Sequence, residues 1–318
     1  MSDDASGSSG HPALGFGLPV SGSWATPGTV REVARRAEEL GYASLWSFQR
    51  LLHPAEGSWG EAYRSVLDPL AVLAHVAAVT GRARLGVAVL NAPFYPPLLL
   101  AKQLATLDVL SQGRLDVGLG LGWAPEEFAA VGVPFERRGA RLEETVEVLS
   151  AAWGPDPVRH AGDLCTVQDA LVQPKPVQQP RPPVLLGGGV PAALRRVGRV
   201  ADGWISASRQ DLRAIGDAVD TIRAAADEAG RDPDGLRYVV RGVLHLGQEK
   251  TDRSGARRPL TGSAEAVRDD LGALAAQGVT EVFLDLNFVP RVGSPDADPQ
   301  ASREHAEEVL ETFAPLPR

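Results

Sequence analysis

The sequence predicts a (β/α)8 barrel, and three observations carry that expectation. Short apolar runs and amphipathic helical segments alternate eight times from Leu14 to the C-terminus. The segments joining successive runs are long enough for right-handed crossovers, so the strands should be parallel. A chain of 318 residues, 44% hydrophobic and 23% charged, supplies the core that one such barrel encloses.

The first run, LGFGLP, leads to a helix beginning near Pro27, in which Val30, Val33, Ala34, Ala37 and Leu40 share one face and Gly41 marks the stop. ASLWSF and ARLGVAVL give strands two and three, with helices beginning near Asp68 and Pro97. RLDVGLGLG is strand four. Its Gly118, Gly120 and Gly122 alternate and end at Trp123, and glycine in a strand leaves one face bare. Either a flat ring system approaches that face, or the glycines relieve crowding inside the barrel.

A helix beginning near Arg141 follows. The next stretch, GPDPVRHAGDLCTVQDALVQPKPVQQPRPP, stands where a barrel needs only a short turn, and predicts a small hairpin or lid-like excursion between helix four and strand five. PVLLGG, DGWISAS, LRYVVRGVLHL and TEVFLDL complete the strands, with helices beginning near Pro191, Asp211, Gly262 and Gln300. After strand seven comes a polar, aperiodic segment, QEKTDRSGARRPLTG. From Gln248 to Pro259 it is expected to order only over a ligand, with Arg257 and Arg258 closing on an anionic part of it, unless it is simply a solvated loop.

Composition excludes several classes. A net charge of −8 without a basic block argues against nucleic acid. No apolar run reaches bilayer length, and MSDDASGSSG lacks the basic-then-apolar order of a signal peptide. Residues 1–13 are therefore expected to be a disordered tail, and 14–318 the barrel domain. The lone Cys165 makes no intramolecular disulfide, and the six histidines show no metal-ligand spacing, so no metal and a cytoplasmic setting are expected.

NAPFYPPLLLAKQLATLDVLSQGRLDVGLGLGW, EEFAAVGVPFERRGARLEETVEVL, PKPVQQPRPPVLLGG, PAALRRVGRVADGW and LTGSAEAVRDDL, in that order, resemble the bacterial luciferase-like flavin and deazaflavin oxidoreductases. The likeness runs from about Leu14 to Leu286 and is greatest to the actinobacterial branch that depends on coenzyme F420. It implies a non-proline cis peptide at Ala88–Val89, in a bulge backing the cofactor ring. Gly187, Gly188, Gly189 and Val190, between strand five and its helix, offer free N–H groups to a phosphate. Gly120 and Gly122 join this cofactor set. Asn91 either meets the ring's polar edge or turns the chain before Pro93.

Trp123, Tyr95 and Gln49 are candidate pocket residues, whereas Trp46 reads as core; Arg138 and Arg141 read as a solvated helix face. Family members that oxidise secondary alcohols carry an Asp–His pair after strand two and a Glu after the strand-four glycines. Here Ser47-Phe48-Gln49-Arg50 and Trp123 occupy those places, and none of these side chains is a base near neutral pH. Arg50 suits a carboxylate on cofactor or substrate, and Tyr95 and His53 are candidate proton donors.

The expected activity is therefore reduction, by reduced F420, of an activated C=C or C=N bond in a small molecule or modified peptide, in secondary metabolism. An FMN-dependent monooxygenase and a non-catalytic cofactor-binding barrel are the alternatives. The resemblance further implies a homodimer.

Overall fold

The computed structural model describes residues 11–57 and 59–315. The tail expected over 1–13 thus lies mostly outside the described residues, and the first strand, β1 (Ala13–Gly17), already includes Ala13. Eight strands form the barrel: β1, β2 (Ser44–Ser47), β3 (Arg84–Val87), β5 (Leu115–Gly120), β8 (Val184–Gly187), β9 (Gly203–Ile205), β10 (Arg237–Val243) and β13 (Glu281–Asp285). All neighbours are parallel, and the β1–β13 and β3–β5 pairings close the ring. The expected (β/α)8 barrel is the fold.

The crossover helices are α1 (Pro27–Glu39), α2 (Pro69–Ala77), α3 (Pro97–Leu110), α5 (Arg138–Trp153), α6 (Pro191–Val200), α7 (Ile215–Glu228) and α8 (Ala264–Ala276), with α10 (Pro299–Thr312) after β13. Local chemistry explains where several begin. Thr26, Asp68, Ser263 and Asp298 accept hydrogen bonds from first-turn N–H groups of α1, α2, α8 and α10, and three of those four helices also open on proline. Two short helices, α4 (Pro125–Ala130) and α9 (Pro290–Gly293), follow β5 and β13. The expected excursion after α5 is an antiparallel hairpin, β6 (Val158–Ala161) and β7 (Thr166–Ala170).

Inside the barrel, Trp46, Leu185, Ile205, Val239 and Phe283 pack together, with Trp46 stacked on Phe283 at 5.2 Å between ring centres. Trp46 is core, as expected. An ionic layer closes the N-terminal end: Trp46 Nε1 donates to Glu281 (2.9 Å), Arg237 bridges Glu281 (2.8 Å) and Asp116 (2.7 Å), and Arg84 also reaches Asp116. With that end filled, chemistry is left to the C-terminal mouth.

Two expected strands are interrupted. The third stops at Val87 and resumes as β4 (Leu90–Asn91) beyond a bulge. The seventh stops at Val243, and β11 (His245–Leu246) pairs instead with β12 (Thr261–Gly262). Ion pairs tie the segment between them to the rest of the chain. Arg257 forms a two-pronged pair with Asp270 (2.7 and 2.8 Å), and Arg213 holds Asp252 (2.6 Å), so Arg257 is already committed within the chain. Its pairing with Asp270 corrects the expectation that Arg257 closes on an anionic part of a ligand.

Burial, reinforced by the charges of Lys250, Arg258, Arg291 and His305, lowers the pKa of His245 to about 4. Below the ordinary imidazole value of 6.5 the unfolded chain takes up a proton here that the folded chain refuses. Stability should therefore fall as pH drops from 6.5 toward 4, by on the order of 1–2 kcal/mol after discounting for partial exposure. Urea unfolding at pH 7 and pH 5 of the wild type and His245→Gln checks this, and an equal acid loss in both would sink it.

Candidate active site

The bulge at Ala88–Val89 follows the C-terminal end of β3, and its peptide bond is cis. A Cβ at Gly120 would come within 2.4 Å of Val89 Cγ2, one at Gly187 within 3.2 Å of Val89 Cγ1, and one at Gly118 within 1.8 Å of the Val87 carbonyl oxygen. These glycines clear space for the bulge. The body that approaches the bare face is strand three itself, so the crowding explanation holds for Gly118 and Gly120. Gly122 has a positive φ of 70° and lies against Phe128 and Asn91.

Across the barrel, the buried Arg241 of β10 donates to the carbonyl of Ala88 and, through Nη1, to Asp285 (2.7 Å). Its guanidinium packs among Phe48, Phe283 and Phe288 at 4.9–5.5 Å from the ring centres. Asn287 holds the other oxygen of Asp285 through its backbone N–H (2.9 Å) and side-chain amide (2.8 Å). The bulge is thus gripped from the opposite wall. Sequence reasoning missed Arg241; the one signal was an arginine inside an otherwise apolar strand, YVVRGV.

Three of the candidates come together. The Gln49 Oε1 accepts from the Asn91 backbone N–H (2.8 Å), which fixes the amide's orientation, and Gln49 Nε2 then donates to the Tyr95 hydroxyl oxygen (2.5 Å). Tyr95 is therefore an acceptor toward Gln49, and its own proton is free for another group. Burial, with the charge of Asp68, raises the pKa of Tyr95, and the bond from Gln49 opposes this only in part. The phenol stays protonated at neutral pH. Asn91 Nδ2 is buried without a partner beside them.

Arg50 faces a carboxylate of the chain itself, while its Nε and Nη1 remain buried without a hydrogen-bond partner. Its side chain is 5% exposed and its Nε lies 3.3 Å from Glu127 Oε1, on a carboxylate that is fully buried and also accepts from the Leu51 N–H (2.7 Å). Trp123, Tyr63 and Trp59 surround the guanidinium at 4.7, 4.9 and 5.3 Å. Burial lowers the Arg50 pKa, against the opposing charge of Glu127. Glu127, in the first turn of α4, restores a carboxylate to the mouth four residues beyond the Trp123 position that lacks one. Its signal was the pair Glu126-Glu127 at a helix start just past the glycines.

Trp123 is half exposed and stacks edge-on against Trp59 (4.8 Å), forming an aromatic wall. His53 lies beyond that wall, edge-on to Trp59 (5.8 Å), with Nδ1 donating to the Pro54 carbonyl (2.8 Å), in a polar cavity of about 480 Å3 with Glu61 and Arg64. It is not brought to the Gln49–Tyr95 group.

At the start of α6, Trp204 Nε1 donates to the Gly188 carbonyl (2.7 Å), and Val190 caps the helix with no side-chain bond. Among the described residues, the N–H groups of Gly189, Val190 and Ala192 have no acceptor. Arg138 and Arg141 correct the expectation of a solvated face. Both are half-buried, with Arg138 Nη1 and Arg141 Nε buried and unpartnered, and Arg138 lies 3.5 Å over the Phe135 ring centre. The adjoining Gly139 leaves room for Arg196 of α6, which donates to Glu143 of α5 (2.6 Å) and links the two helices.

A parallel eight-stranded barrel whose C-terminal mouth gathers an open helix start and orphaned polar atoms is a (β/α)8 enzyme scaffold. The family model for luciferase-like monooxygenases matches residues 8–278, and the chain belongs to that family. An uncharacterised protein of Mycobacterium tuberculosis is 35% identical over 224 residues, covering 67% of this chain and 78% of that one. An F420-dependent glucose-6-phosphate dehydrogenase of Amycolatopsis mediterranei is 33% identical over 229 residues, covering 70% of this chain and 67% of that one. An FMNH2-dependent dimethylsulfone monooxygenase of Pseudomonas putida is 32% identical over 203 residues, covering 63% and 54%. In fold, the chain superposes on the coenzyme F420-dependent tetrahydromethanopterin reductase of Methanopyrus kandleri with a TM-score of 0.75 at 19% identity, covering 96% of this chain and 98% of that one. The family thus holds both deazaflavin- and flavin-dependent oxidoreductases. No helix among the described residues is long and apolar enough to cross a membrane.

Proposed function

We propose that this protein is a cytoplasmic, homodimeric reductase that uses reduced F420 to saturate an activated C=C or C=N bond of a small molecule or modified peptide in secondary metabolism. The observation that carries the reading is the Gln49–Tyr95–Asn91 group, which presents a proton donor where alcohol oxidation would require a base. Glu127, the carboxylate nearest in kind to such a base, is fully buried, with Oε1 engaged by Arg50 and the Leu51 N–H.

The residues present fit a phosphate-bearing cofactor: the α6 start would hold the phosphate, the bulge and Asn91 would serve the ring, and Arg138 and Arg141 have donors to spare for an anionic tail. When bound, reduced F420 supplies a hydride to an electron-poor substrate carbon. Tyr95 gives its hydroxyl proton to the adjacent atom, and water returns that proton to the phenolate. The aromatic wall of Trp59 and Trp123 excludes solvent from one side.

Anaerobic turnover of reduced F420 with a panel of activated alkenes and imines tests the reading. Rapid oxidation of secondary alcohols, with none of these acceptors reduced, would overturn it. The Pseudomonas relative favours FMN monooxygenation as the second reading, and the phosphate cradle alone suits both cofactors.

Val190→Asp probes the cradle better than a change at Gly188, whose φ of 134° and 2.7 Å approach to Ala193 leave no room for a side chain. Aspartate at this helix cap should raise stability by roughly 1 kcal/mol, yet weaken cofactor binding at least about tenfold by like charge. Thermal melts and fluorescence titrations with F420 and FMN read both effects. Unchanged affinity for both cofactors would remove the phosphate from this helix.

A further inference from the structure

A cluster of cations on the rim of the mouth has no role in the chemistry above. The β11–β12 pairing sets His245 opposite Thr261, and Thr261 Oγ1 accepts from the Lys250 N–H (3.2 Å) and donates to the Arg258 carbonyl (2.7 Å). The Arg258 N–H in turn donates to the Lys250 carbonyl (2.7 Å), so one small loop brings both residues beside His245. From α9, Arg291 donates to the carbonyl of Leu246 (3.1 Å) and meets His305 Nε2 of α10 (3.1 Å).

What separates these groups from the rest of the surface is the lack of counter-charge. Arg257, next to Arg258 in sequence, and Arg213, which reaches the Arg257 carbonyl, each hold an aspartate, and His305 has Glu308 at 3.0 Å. Lys250, Arg258 and Arg291 have no carboxylate at ion-pair distance among the described residues, in a chain of net charge −8. His245 Nδ1 is buried and has no hydrogen-bond partner. Such a set repels itself unless an anion is supplied, and three cations match a dianion better than a single carboxylate. The excursions after strands seven and eight are also where barrels of this architecture frequently place a phosphate.

We infer that the rim between the excursions after β10 and β13 binds a phosphate group through Lys250, Arg258, Arg291 and His245. This site is separate from the start of α6, so a ligand held here would bring a second phosphate, on substrate or effector. Inorganic phosphate is the probe, titrated against chloride at constant ionic strength into full-length protein carrying isotope-labelled histidine. The ring resonances of His245 and His305 are assigned from His245→Gln and His305→Gln. Saturable shifts of both, absent with acetate and at least about tenfold weaker in Lys250→Ala/Arg291→Ala, are expected. Phosphate binding at the α6 start leaves these resonances in place, so the two sites are read apart. Unmoved His245, equal shifts with acetate, or an undiminished response in the folded double variant would overturn the inference.

Discussion

Arg241→Met should cost about 3–5 kcal/mol of folding stability, because it strands a buried partner instead of removing a pair. Asp285 would keep only its two bonds from Asn287, and the Ala88 carbonyl would lose its arginine donor. Methionine is close in volume and suits the surrounding Phe48, Phe283 and Phe288, so lost packing contributes little. Arg241→Lys keeps the charge but offers one compact ammonium where two separated acceptors lie, and should recover the Asp285 contact without the grip on the bulge. Urea unfolding gives the stability, and cofactor titration gives the consequence for the mouth. The lysine variant should fold with most of its stability and still bind cofactor more weakly. A methionine variant within about 1 kcal/mol of wild type would show that the grip is incidental.

Period and punctuation made the architecture readable. Eight alternations, with Pro and Ser/Thr/Asp at the helix starts, specify each βα unit from within its own segment. The excursion after α5 was legible for the same reason, since thirty proline-rich residues cannot be a tight turn. Contacts between distant segments were not legible. Arg50 and Glu127 are far apart in sequence, and no local pattern says that one arginine will be claimed by a carboxylate on a six-residue helix. Arg257 was misread alike, because its partner Asp270 lies in the next helix. Gly118 and Gly120 were readable as vacancies but not for their occupant, since Val87 and Val89 reach them from another strand. The Gln49 and Tyr95 pairing needed the mouth assembled before two separately plausible pocket residues became one proton-donating unit.

Tyr95→Phe should reduce kcat by about 10²–10⁴-fold on an activated alkene while leaving cofactor affinity unchanged. Phenylalanine fills the same volume, so the change isolates one hydroxyl: Gln49 Nε2 loses its acceptor and the substrate loses its proton source. Gln49 stays anchored through the Asn91 N–H, which keeps the wall in place. The pH profile separates Tyr95 from the other candidates. With its pKa raised by burial, the phenol keeps its proton across the neutral range, so kcat should stay flat there and fall only on the alkaline side. A carboxyl or imidazole donor would instead lose its proton, and the rate, near or below neutrality. Stopped-flow oxidation of reduced cofactor across that range, with wild type, Tyr95→Phe and His53→Gln, distinguishes them. A decline at or below neutral pH that disappears in His53→Gln, with Tyr95→Phe still near wild-type speed, would move the proton donor to the far side of the aromatic wall.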